Sequence, residues 1–194
     1  MQSWSIMTVD DEIIVFDNDE FDNEAEIIVL EPDDYIIVDL NNVVDLSYLG
    51  SKDYAFMETE VIRLTNLQRE KFGLKPLSRN DDLCHSALLH TMDMAENHFI
   101  SHAGSDGCNL RTRVDRTNYT NYFLIGENLA MGYPNPEQVV LGWMNSPGHR
   151  KNILKREFNE IGVAYIKAEI PTTNGKGYIK GGYWTQHFGY RKIK

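Results

Sequence analysis

Residues 143–154 read Trp143-Met144-Asn145-Ser146-Pro147-Gly148-His149-Arg150-Lys151-Asn152-Ile153-Leu154. Serine followed by proline is a helix-start signal. Ser146 suits the N-cap, and Pro147 suits the first helical position, where its missing N–H removes no bond. His149 then falls in the first turn, where the positive end of the helix dipole disfavours a second ring proton and keeps the imidazole neutral near pH 7. Just upstream, Val139, Val140, Trp143 and Met144 recur at helical spacing after Pro134-Asn135-Pro136, so one helix ends where the next begins.

Working toward the N-terminus, helical spacing continues. A short helical piece is expected around Leu110–Arg116, behind a loop with Gly104, Asp106 and Gly107. A longer helix runs from the capping candidate Asn80 to about Asn97, with Leu83, Ala87, His90 or Thr91, and Met94 three or four apart. The first helix covers Glu58 to Phe72 and stops at Gly73. Toward the C-terminus the period changes. Ile161, Val163 and Tyr165, then Tyr183, Thr185 and His187 against Trp184, Gln186 and Phe188, alternate as strands do, with Thr172–Gly177 as the turn. Helices first and antiparallel strands later indicate an α+β domain.

Charge composition changes near Gly50. Residues 1–50 hold fourteen carboxylates and no lysine or arginine, whereas the remainder nets +4 within a total of −10. The division expected is an acidic arm over residues 1–53 and a domain over 54–194. Three apolar triplets in the arm, Ile13-Ile14-Val15, Ile27-Ile28-Val29 and Ile36-Ile37-Val38, read as short strands, while the uncompensated charge favours partial disorder; both readings stand at this stage. Asp17–Asp22 has a faint calcium-loop flavour but lacks the glycine and closing glutamate. No stretch is apolar enough for a transmembrane segment, and no signal peptide is visible in this chain. The mild, scattered excess of bases in the domain excludes a nucleic-acid partner.

Seven phrases occur in one order over residues 66–189: Asn66-Leu67-Gln68-Arg69 with Gly73-Leu74-Lys75-Pro76-Leu77; Ala87, His90 and Asp93-Met94-Ala95; Phe99-Ile100-Ser101-His102; Gly126-Glu127-Asn128-Leu129-Ala130; the 143–154 stretch; Glu160-Ile161-Gly162-Val163; and Tyr183-Trp184-Thr185-Gln186 with Phe188-Gly189. In this the chain resembles the bacterial SCP-like branch of the CAP superfamily, the PR-1-like group. The resemblance covers none of residues 1–50. It implies a three-layer α-β-α sandwich with an antiparallel central sheet, and a cleft holding His102, Glu127 and His149, with Ser101, Asn128, Asn145 and Ser146 along its lining. Ser146 stands where many eukaryotic members carry a second glutamate, so the acidic set is one short.

Two histidines and one glutamate make a possible first shell for Zn²⁺ or another divalent cation, and the same set would suit a hydrogen-bonded anion. His90 reads as a core histidine, His85 and His98 as solvent-facing helix ends, and His187 as lying on the outer face of its strand. Trp143 and Trp184 read as core. Cys84 and Cys108 are either reduced thiols or, on export, a disulfide closing a loop of about 25 residues worth about 3 kcal/mol.

HExxH, GxSxG and phosphate-loop motifs are absent. The reading is therefore a secreted binding module with a protein, lipid or small-molecule partner, export being implied by the resemblance. The alternatives are a metal-dependent hydrolase in which Glu127 is the base for a water held at His102 and His149, and a lipid-binding module. A further expectation is that the arm folds over the cleft of its own or a neighbouring domain.

Overall fold

The structure, a computed structural model, describes residues 4–9, 12–17, 28–30, 52–171 and 178–192. Three short strands, β1 (Trp4–Val9), β2 (Glu12–Asp17) and β3 (Ile28–Leu30), form an antiparallel meander. The first two apolar triplets thus fall on β2 and β3, with Ile27 outside the described residues; β1 carries no triplet and went unread. The third triplet and Asn18–Asp22 also lie outside the described residues.

The domain proper runs α1 (Lys52–Lys71), β4 (Ser78–Arg79), α2 (Asp81–Glu96), α3 (Leu110–Asp115), β5 (Leu124–Met131), α4 (Pro136–Asn145), α5 (Pro147–Ile153), β6 (Glu160–Pro171) and β7 (Tyr178–Tyr190). Its four-stranded sheet has the order β4-β6-β7-β5, antiparallel except for the brief parallel β4–β6 pairing. Asparagine caps set three helix starts: the side chains of Asn80, Asn109 and Asn135 accept from the amides of Leu83, Thr112 and Gln138. Ser146 ends α4 and begins α5, yet its side chain makes no cap bond to the helix. Pro147 in the first turn, with its φ already set for a helix, marks that start instead.

Helices cover both faces of the sheet, and two neighbouring residues of β7 show it. Thr185 meets the hydroxyl of Thr91 on α2 at 2.8 Å, while Gln186 donates to Thr65 on α1 at 2.8 Å from the opposite face. On the α2 side, Met94, Leu129, Met131, Ile166 and Tyr183 form one apolar cluster. On the other, Val61, Trp143, Val163, Trp184 and Phe188 join α1, α4 and the sheet. The architecture is the expected three-layer α+β sandwich. Trp143 and Trp184 are fully buried, as expected of core residues, and each indole N–H is satisfied by a backbone carbonyl, of Leu129 and Tyr133 respectively.

The helical layer sits very close to β6. A Cβ on Gly162 would stand 2.2 Å from the Leu83 carbonyl carbon and 2.3 Å from the Cys84 nitrogen, so only glycine lets α2 rest there. Beyond Ile161, β4 no longer pairs with β6, and side chains take over the outward amides. The N–H of Val163 meets Cys84, that of Tyr165 meets the Glu58 carboxyl, and that of Lys167 donates to the Tyr54 hydroxyl at 3.1 Å. Burial pushes the Glu58 carboxyl up to about 7.

Cys84 and Cys108 are both free thiols, which corrects the disulfide reading. Cys108 packs against Gly104 beside Asp93. Cys84 lies nine residues earlier on the same helix, a separation of about 13 Å at the α-helical rise and far beyond disulfide reach. Residues of β1 lie close to β5, α4 and α5.

Candidate functional site

Glu127 is the centre of the site. In β5 it pairs with His187 of β7, and this register puts both side chains on the face covered by α2 and α3. The carboxylate is buried and fully engaged. Oε1 accepts from His102 Nδ1 at 2.6 Å; Oε2 accepts from Arg113 Nη2 at 2.7 Å and from His187 Nε2 at 2.8 Å. Burial alone would raise its pKa, but the hydrogen bonds from His102 and His187 and the Arg113 charge outweigh that and hold it well below the usual carboxylate range. An ionised carboxylate only accepts, so both imidazoles must donate through these nitrogens.

His102 follows α2 on a loop clamped by its backbone. His90 Nε2 donates to the Ser101 carbonyl at 2.8 Å, and Arg113 Nη2 donates to the His102 carbonyl at 2.9 Å. The ring itself keeps 51% of its side-chain surface in water, against 3% for Glu127. With Nδ1–H bound inward, the neutral ring carries its lone pair on Nε2. His90 is buried, as the helix periodicity suggested, and burial pushes it down to about 4, so it stays neutral.

His149 reaches the same strand from the other layer. Asn128 Nδ2 donates to the His149 carbonyl at 3.2 Å, while Asn152 Nδ2 donates to the Glu127 carbonyl and to Asn128 Oδ1, both at 2.9 Å. The C-terminal end of α5 is held by buried Arg69, which donates to the carbonyls of Lys75, Ile153, Lys155 and Phe158. These bonds bring α5 against β5 at the Glu127–Asn128 step.

Several expectations need correction. His187 is completely buried on Glu127 rather than outward, because a sandwich buries both faces of its sheet and strand alternation then marks no solvent side. His98 is buried as well, at a left-handed φ of 53° where α2 turns away. Asn128 does not line the cleft: its side chain lies on the opposite face, bonded to Gln186 at 3.0 Å. Ser146 is fully buried at the α4–α5 junction, whereas Asn145 is exposed and Ser101 half-buried. Arg113 is a site residue that the sequence analysis does not name. Its signal was the spacing of Arg111 and Arg113, which sends one of the two inward from a short helix.

Glu127 is also ill suited to two of its expected roles. Its oxygens are committed to three donors, and a carboxylate held so far down is a weak base. Among the described residues no group of three or more His, Cys, Asp or Glu is arranged to hold a metal ion. No described helix is long and apolar enough to cross a membrane.

The family model described as the cysteine-rich secretory protein family, CAP, matches residues 62–188. The Bacillus subtilis protein YkwD is 38% identical over 131 residues, which are 68% of this chain and 46% of YkwD. The B. subtilis membrane protein YlbC is 34% identical over 106 residues, 55% of this chain and 30% of its own length. The chain thus spans less than half of these curated relatives. Among solved structures, an extracellular SCP-domain protein of Bacillus anthracis superposes with a TM-score of 0.63 at 21% identity, covering 98% of this chain and 60% of that one. An outer surface protein of Borrelia burgdorferi superposes with a TM-score of 0.59 at 24% identity, covering 69% of this chain and 92% of that one.

Proposed function

Because the chain belongs to the cysteine-rich secretory protein (CAP) family, we propose that residues 54–194 are an exported binding module whose cleft presents the Nε2 lone pair of His102 to its ligand. The single observation that carries this is the 2.6 Å bond from His102 Nδ1 to a buried, ionised Glu127. A carboxylate behind an imidazole selects the Nδ1–H tautomer and strengthens the outer nitrogen as an acceptor or metal ligand. Export is supported by neighbours that are themselves described as an outer surface protein and an extracellular protein.

Among the described residues no group of three or more His, Cys, Asp or Glu could hold a divalent cation such as Zn²⁺, so a cation reading reduces to the two imidazoles alone. His102 and His149 would supply the imidazoles, with Glu127 orienting His102 from behind, and a cation held there would supply Lewis acidity toward the ligand. Hydrolysis with Glu127 as base loses its support, since the carboxylate is buried beneath the ring it orients. Calorimetric titration of the full chain with Zn²⁺ tests the reading. One equivalent is expected to bind, and the H102A/H149A double variant is expected to abolish the heat; equal heats for both proteins would refute cation binding at this pair.

A further inference from the structure

We infer that Arg113 and His187 are positioning residues for His102, acting on its ring through the carboxylate of Glu127. The inference rests on the reading that His102 presents an unprotonated Nε2 to the cleft. A carboxylate turns easily about its last torsion, and one ring alone would not stop it. Here Oε2 is pinned from two layers at once, by Arg113 of α3 and by His187 of β7. That leaves Oε1 in one place, under His102 Nδ1.

The charges point the same way. The groups facing Glu127 are His102 from the loop, Arg113 from α3, His187 from β7 and, through space, His90 from α2. Arg113 is itself buried and balances the carboxylate, so His102 need not be cationic to stay bound. The same guanidinium holds the His102 carbonyl at 2.9 Å and the Cys108 carbonyl at 3.1 Å. One side chain therefore fixes the loop that carries the ring and the anion that orients it. His187 adds a donor with no solvent exposure, and its remaining nitrogen, Nδ1, has no hydrogen-bond partner among the described residues. Among the described residues its hydrogen bond is thus to the carboxylate alone.

The experiment is long-range proton–nitrogen NMR of the full chain with nitrogen-15-labelled histidine at pH 7.5, comparing wild type with H187L, H187Q, R113Q and R113K. In wild type, His102 is expected to be protonated at Nδ1 and bare at Nε2. H187L and R113Q should shift it to an average of both tautomers and weaken binding of Zn²⁺ alone by about tenfold, the usual effect of losing a group that supports a ligand. H187Q, which can still donate an amide N–H to Oε2, should restore the wild-type pattern. R113K keeps the charge and a donor for Oε2 and should hold the wild-type tautomer, and H187L carries the test alone if R113Q does not fold. Unchanged His102 tautomer and Zn²⁺ affinity in H187L and R113Q would overturn the inference while leaving the binding reading intact. A wild-type His102 protonated at Nε2 would instead sink the binding reading and, with it, the inference.

Discussion

Replacing Glu127 with glutamine changes one atom at the centre of the site, and its cost can be worked from the contacts. Glutamine can place its oxygen where Oε2 stands and keep accepting from Arg113 and His187. Its amide then faces His102 Nδ1, where an acceptor stood before. The geometry survives, but buried Arg113 loses its counter-charge. Breaking a buried ion pair from one side costs about 3–5 kcal/mol, and the retained hydrogen bonds place E127Q near about 3 kcal/mol. With a urea slope of about 2 kcal/mol per molar, the unfolding midpoint should fall by about 1.5 M. E127Q/R113Q removes both charges and should lose less than the sum of the single variants by at least about 1 kcal/mol. His102 should also invert its tautomer, because the glutamine amide donates where the carboxylate accepted. A midpoint shift under about 0.3 M, or strict additivity in the double variant, would refute the claim that Arg113 and Glu127 are a buried charge pair.

Four further outcomes are expected. Glu58 is raised to about 7, so the folded state keeps a proton that the unfolded chain releases from pH 4.5 upward; stability should fall by about 2 kcal/mol between pH 5 and 8, and E58Q should flatten that slope in pH-resolved denaturation. Glu127 and Glu160 are depressed, so their contributions are present above pH 4.5 and fade as pH drops below it, which puts the stability maximum near mildly acidic pH. Gly162→Ala should cost about 2 kcal/mol or more by thermal melting, since its methyl meets the α2 backbone. With Cys84 and Cys108 unbonded, dithiothreitol should leave the melting temperature unchanged, and denatured protein should titrate with two thiols.

Much of the sandwich was legible because its helices obey local rules. Asn80 as cap, Gly73 as stop and the Val139–Trp143 spacing are each decided within a few residues. β5 was not read as a strand, since Leu124–Met131 shows neither alternation nor a turn signal; it is buried on both faces for most of its length. The same double burial hid His187. His102, Glu127 and His149 could be named from their phrases, but what Glu127 does could not. That depends on Arg113 and His187, 14 and 60 residues away, whose donors converge only when α3 and β7 are folded onto β5.

The amides of Val163, Tyr165 and Lys167 have a practical consequence for where the polypeptide can be cut. The family model begins at residue 62, inside α1, and a fragment started there would lack Tyr54 and Glu58. Two of the three groups that occupy the outer side of β6 would be gone, and a bare strand margin invites another molecule to add its own strand. Fragments beginning at or before Lys52 should stay dispersed in light scattering, whereas those beginning at 62 should assemble with time. The first two turns of α1 are thus a guard against sheet growth from one molecule to the next.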